Sequence, residues 1–195
     1  MHLFLDICQG IGLACAVGIR PFLPALLAGA FAVDDLGVDF DGTNYHFLEE
    51  PWFLLILVIG AILLVMAERR LGAETVERPP LGYGLAAVSV VLAVLLFAGS
   101  LADRGEAQWP AIFAVGIAAL TYTAIRSLLT RTRGRLDAAA AVALPVYAEA
   151  AGLLAAALSI ALPPFGLVVL LFVAALALTG RRREGQKYAG LRILR

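Results

Sequence analysis

The apolar positions of this chain come in long runs separated by short polar segments. Six runs stand out, at about 3–31, 52–68, 84–101, 111–129, 138–161 and 164–180. An apolar run of about 18 or more residues is long enough to cross the hydrocarbon core of a bilayer as a helix. The pattern predicts an all-α polytopic membrane bundle of six spans, built as a single membrane domain over residues 1–195. The first run is too long for one straight crossing. It carries Gly18, Arg20, Pro21 and Pro24 within "GIRPFLP". Proline lacks an amide hydrogen and clashes with the preceding turn, so a break or kink is expected near 18–24. The sequence leaves open whether the chain then continues outward or folds back. Pro145 is expected to interrupt the fifth run in the same way.

Composition agrees with this pattern. Hydrophobic residues make up 62% of the 195 residues and charged residues 15%, against about half and a quarter in soluble domains. Mean hydropathy is +0.91. Net charge is zero, so placement matters more than sum. Segment 32–51 holds Asp34, Asp35, Asp39, Asp41, Glu49 and Glu50 and no basic residue. Arg69, Arg70 and Arg78 follow the second run, Arg131, Arg133 and Arg135 the fourth. Segment 102–110 sets Arg104 against Asp103 and Glu106, and the turn at Pro163-Pro164 is uncharged. The tail at 181–195 carries Arg181, Arg182, Arg183, Lys187, Arg192 and Arg195, so twelve of the fifteen basic residues lie in alternate loops and the tail. The positive-inside rule then places the N- and C-termini in the cytoplasm. No signal peptide is expected, because no basic stretch or small-residue cleavage site is seen at the start.

An internal repeat is expected from "GIGLACAVGIRPFLP" at 10–24 and "GIAALTYTAIRSLLT" at 116–130. Gly10, Ile11, Ile19, Arg20 and Leu23 align with Gly116, Ile117, Ile125, Arg126 and Leu129. Apolar segments match by chance, so the paired arginines carry the argument. With half-repeats at about 1–101 and 111–180, three spans separate the two starts. The expectation is a 3+3 inverted repeat with a broken first helix, an arrangement common in secondary transporters.

Polar residues inside the runs are the candidate chemistry. Asp6, Gln9, Leu13, Ala16 and Arg20 recur at steps of three and four, which places them on one helix face. Arg20 offers a fixed charge for an anion beside a helix break, or it snorkels to an interface. Tyr122 and Arg126 form the equivalent stripe in the second half. Thr121 and Thr123, nearby, suit hydrogen bonding between helices. Glu149 lies near the middle of its run, where a charge costs at least ~2.5 kcal/mol. It serves proton coupling, as Asp6 could, or it is a structural partner of Arg20 or Arg126. Substrate binding is thus assigned to Arg20, Arg126, Tyr122 and Gln9.

Other chemistry is set aside. "DFDG" at 39–42 resembles part of a calcium loop but lacks its closing glutamate, so a solvated acidic loop is expected. His2 and His46 have no metal partner at ligand spacing. Cys8 and Cys15, seven residues apart on a helix, are roughly 10 Å apart and too distant for a disulfide. No phosphate loop or nucleophile elbow appears. No catalytic residue, metal or cofactor is expected, and neither is nucleic-acid binding.

The runs "GIRPFLP" at 18–24, "IRSLLTRTRG" at 125–134 and "AEAAGLL" at 148–154 resemble a bacterial family of integral membrane proteins known as domain-of-unknown-function family 4126. Gly18, Arg20, Phe22 and Pro24 match its Gly-x-Arg-x-Phe-x-Pro motif. Of its second-half acidic pair Glu149 is present, with Ala150 in the other place. The resemblance implies a bacterial inner membrane and offers no activity. The expected function is a small secondary transporter or flippase for an anionic small molecule or lipid, such as a lipid-linked phosphate, with proton coupling. An oligomeric channel and a non-transporting scaffold are the alternatives, and a homo-oligomer is compatible with each.

Overall fold

A computed structural model of the chain describes residues 2–102 and 107–189, without the side chains of 138, 139 and 181–189. The expected balance of Asp103, Arg104 and Glu106 lies outside the described residues, as do the side chains of the basic tail. Among the described residues the chain is helical throughout, with no strand. The α-helices are α1 (His2–Ile19), α2 (Phe22–Val33), α3 (Pro51–Leu71), α4 (Ala73–Glu77), α5 (Leu81–Ala102), α6 (Phe113–Arg133), α7 (Ala138–Ala141), α8 (Leu144–Ala161) and α9 (Phe165–Ala189). Five of the described helices are long and apolar enough to cross a membrane. They are α1, α3, α5, α8 and the stretch Trp109–Arg133. Shorter apolar helices cover Phe22–Val33 and Phe165–Gly180. The expected six spans are thus not confirmed: the first run splits into two helices, and five candidate crossings are found among the described residues.

The split is a reversal of direction. Gln9 Nε2 donates to the carbonyl of Gly37 at 2.7 Å. A straight helix from Gln9 to Val33 would be about 36 Å long, and four further residues reach back at most about 14 Å. The chain must therefore turn back between α1 and α2. Gly152 of α8 sits against both arms and the tip: a Cβ there would lie 3.1 Å from Pro24 Cγ, 3.4 Å from the Ala16 carbonyl and 3.7 Å from Arg20 Cβ. The prolines explain why the turn is tolerated. Pro21 caps α2 and Pro24 falls in its first turn, where helix N–H groups have no intrahelical acceptor anyway. Gly18 lies inside α1 and packs on Thr121 and Ala118. Pro145 likewise opens α8, with α7 as a separate short turn before it.

This reversal changes the topology inferred from charge. The start of α1, the loop 34–50, the α5–α6 connection and the α8–α9 turn share one end, which the loop makes acidic. Gly10 packs on Phe97, Gly12 on Ser159, and Gly166 on the Cys8 carbonyl. The α3–α5 and α6–α8 connections and the end of α9 lie at the other, basic end. The start of α1 and the end of α9 are therefore at opposite ends, so the two termini do not share a face as expected. The expected inverted repeat is not confirmed either. Gly18 packs on Ala118 and Thr121, while Ile7 and Ile11 line one groove with Phe113, Gly116 and Ile117. Thus α1 and α6 run side by side in the same direction, with the short helix α2 turning back between α1 and α3.

α1 is the central helix, with 61% of its window buried, whereas α3 lies at the periphery with 11% buried. Leu55, Ile56, Ile59, Ile62 and Leu63 of α3 face outward, as a helix turned toward lipid would. Small residues let α1 sit among its neighbours. A Cβ on Gly166 would lie 2.0 Å from the Cys8 carbonyl oxygen, so no side chain fits where α9 crosses α1. The acidic loop is not fully solvated: Phe40 and Leu48 are completely buried, Phe40 lies against Gly99, and Tyr45 donates to Gln108 Oε1 at 3.0 Å.

Candidate functional site

The tip of the α1–α2 hairpin carries Arg20. Its backbone N–H closes the last turn of α1 on the Ala16 carbonyl at 3.2 Å. The side chain then leaves the helix end and points into the protein. Nη1 donates to Glu68 Oε1 of α3 at 2.6 Å, and Nε lies 3.8 Å from Glu149 Oε1 of α8. Side-chain exposures of 7% for Arg20, 10% for Glu68 and 19% for Glu149 exclude the snorkelling alternative. Two carboxylates face one guanidinium. Nη2 of Arg20 and Oε2 of Glu149 are buried without a hydrogen-bond partner. Unmet polar groups at depth are costly, so this cluster retains capacity for a further partner.

Two spaces lie next to this cluster. Toward the basic end, a vestibule of about 560 Å³ is lined by Glu68, Glu149, Arg69, Glu74, Arg133 and Pro145 among others. Behind it, a cavity of about 30 Å³ is lined by Arg20, Glu77, Tyr122 and Arg126, enough for a water molecule. Arg20 lines the small cavity, and its carboxylate partners Glu68 and Glu149 line the vestibule.

The expected site residues are divided by this geometry. Arg20 and Glu149 meet. Arg126 shares the small cavity with Arg20 but does not line the vestibule. Tyr122 donates its hydroxyl to the Gly82 carbonyl at 2.7 Å, so it staples α6 to α5 and keeps only its acceptor lone pairs for a ligand. Gln9 is committed to Gly37. It stands eleven residues up α1 from Arg20, about 16 Å along the axis. Asp6 is buried one turn beyond it. Neither reaches Arg20, although Asp6, Gln9, Leu13, Ala16 and Arg20 are all buried, as the shared inward face expected from spacing requires. Thr121 and Thr123 donate to carbonyls of their own helix, and Thr121 also hydrogen-bonds the Cys15 side chain across to α1, as expected for bonding between helices. Cys8 and Cys15 are free and buried.

Sequence reasoning missed Glu68. It closes an apolar run and precedes Arg69 and Arg70, so nothing in its position singles it out. Glu77 and Arg133 were missed as well. The Arg133 fork donates to both Glu77 oxygens, at 2.6 and 2.7 Å, tying α4 to the end of α6. Gly72, at φ +84, makes the turn after α3 that brings Glu77 back; Glu74 pairs with Arg78 on the outer side of α4.

A second polar cluster lies at the acidic end. Ligand atoms of Asp41, His46 and Glu49 all lie within 4.8 Å of one another, contrary to the expectation that His46 has no partner at metal-ligand spacing. The Glu49 carboxylate bonded to it raises His46 above the usual imidazole range, and burial pushes the Glu49 carboxyl up. No protein-family model, curated protein or solved structure matches this chain.

Proposed function

We propose that this chain is a small proton-coupled membrane carrier for an anionic substrate, with Arg20 as the anion-binding group and Glu149 as the proton-carrying group. One observation carries the reading. The guanidinium at the tip of a re-entrant hairpin still has an unpartnered nitrogen and is held by two carboxylates that line an open vestibule. With Glu68 and Glu149 both ionised, the cluster is net negative and repels an anion. A proton taken up by Glu149 from the vestibule neutralises the cluster. Arg20 then presents Nε and Nη2 to a phosphate or carboxylate, a fork that suits both. Glu68, closer to Arg20, keeps the side chain in place.

Fully buried Leu13 and Val17 lie on α1 between Arg20 and the acidic end, which supports a carrier over an open pore. Irregular backbone at membrane depth is tolerated where it lines a cavity, and that is where the α1–α2 turn lies. The basic end faces the cytoplasm in this reading, within a bacterial inner membrane, with the end of α9 inside and the start of α1 outside. Kinship with domain-of-unknown-function family 4126 remains part of the proposal, on the motif around Arg20.

Proteoliposomes containing a trapped pH dye test it. Gradients of inorganic phosphate in one arm and of a short-chain prenyl phosphate in the other should drive a saturable proton movement in at least one arm. Glu149→Gln should abolish the proton movement, and Arg20→Lys, which keeps charge but loses the fork, should reduce transport at least about tenfold, the scale of one lost charged hydrogen bond. Transport that both variants leave intact would overturn the mechanism.

A further inference from the structure

The loop between α2 and α3 brings together three ligand types that its sequence scatters over nine positions. His46 Nδ1 lies 2.6 Å from Glu49 Oε1 and 2.9 Å from Asp41 Oδ1. An imidazole nitrogen carries at most one proton, so Nδ1 cannot donate to both. Two carboxylate oxygens crowded on one nitrogen repel each other unless a positive charge lies between them, which either a protonated imidazole or a bound cation supplies. The ring's far nitrogen is placed for the second case. Nε2 lies 3.0 Å from Glu50 Oε1, and a proton on Nε2 leaves the Nδ1 lone pair facing the two carboxylates. A carboxylate on the outer ring nitrogen is the usual arrangement behind a metal-bound histidine.

Glu49 supplies an independent sign. Its side chain is 8% exposed, and its Oε2 is buried without a hydrogen-bond partner. It lines a surface pocket of about 250 Å³ together with Asp41, His46 and Glu50. A solvated acidic loop has no reason to sink one carboxylate and leave half of it unmet. A cation bound in that pocket would meet it.

We propose that Asp41, His46 and Glu49 bind a divalent first-row metal ion, with zinc the best fit. One imidazole and two carboxylates suit zinc better than calcium or magnesium, which favour all-oxygen shells. Ligand atoms about 2.0–2.2 Å from a tetrahedral ion stand roughly 3.4 Å apart, so the three side chains need only small rotations. A fourth position stays open to water. Glu50 acts as a positioning residue through His46 Nε2. The site ties the loop to the start of α3 at the end of the bundle opposite Arg20, and it is independent of the transport reading.

The test uses the full-length chain in detergent, stripped with a chelator and titrated with zinc against a chromophoric competitor. One equivalent should bind. His46→Ala and Glu49→Gln should each weaken binding at least about 100-fold, and Glu50→Gln about 10–100-fold, the range for a lost outer partner. Cobalt in the same site should give tetrahedral absorption bands without a thiolate charge-transfer band. Thermal unfolding of the metal-free variants checks that they fold, with His46→Gln as the volume-matched substitute. No stoichiometric zinc, binding unchanged in His46→Ala and His46→Gln, or a thiolate band implicating Cys8 or Cys15 would each overturn the proposal.

Discussion

Arg20 is held by position as much as by charge. Its guanidinium offers five donors, and Glu68 takes one at 2.6 Å. Removing it leaves two carboxylates facing each other in a buried space. Breaking a buried pair from one side typically costs about 3–5 kcal/mol. Arg20→Ala should therefore lower the thermal midpoint markedly in detergent, and adding Glu68→Gln should restore part of the loss, because one stranded charge disappears. Strictly additive losses would show that the cluster is not electrostatically coupled. The meeting of Arg20 with Glu149 was legible in the sequence as one of the expected pairings, since each is a charge inside an apolar run. Glu68 was not, because a charge at the end of a run looks the same whether it faces headgroups or folds inward. Asp6 and Gln9 misled for a different reason. Helical spacing gives a shared face, but it does not say how far along the axis a site extends.

At the scale of elements, the prolines were legible as a break and illegible as a reversal. Pro21 and Pro24 read as two separate disruptions of one helix, yet both belong to the first turn of the next. Whether a broken helix bends or returns depends on what packs against both arms, and here α8 does so through Gly152. The close crossing of α1 and α9 depends on Gly166 in the same way. Gly166→Val should destabilise the bundle by roughly 1–3 kcal/mol or more, the usual range for overpacking. Gly84→Val, where a Cβ would meet nothing within 4 Å, serves as the control and should leave the unfolding transition close to wild type. Equal behaviour of the two variants would contradict the α1–α9 contact. The matching arginines at 20 and 126 line one cavity from parallel helices. Their similarity therefore reflects a shared wall and not an inverted half.

For the whole molecule, the alternation of acidic and basic loops survived as a division between the two ends of the bundle. The loop from Asp34 to Glu50 caps one end, and Arg69, Arg70, Arg131, Arg133 and Arg135 gather at the other. Charge patterning captured this because it depends on loop composition alone. It could not place the start of α1, because an uncharged reversal inside a run leaves no mark on the loops. That placement is also what buries Arg20 beside Glu68 and Glu149 rather than at a surface. It can be read directly with a membrane-impermeant maleimide on sealed, oriented vesicles, because both native cysteines are buried. His2→Cys and Asn44→Cys should react from one side, and Arg135→Cys from the other. If His2→Cys instead reacted together with Arg135→Cys, the chain would not turn back at Arg20 and the account built on that turn would fall.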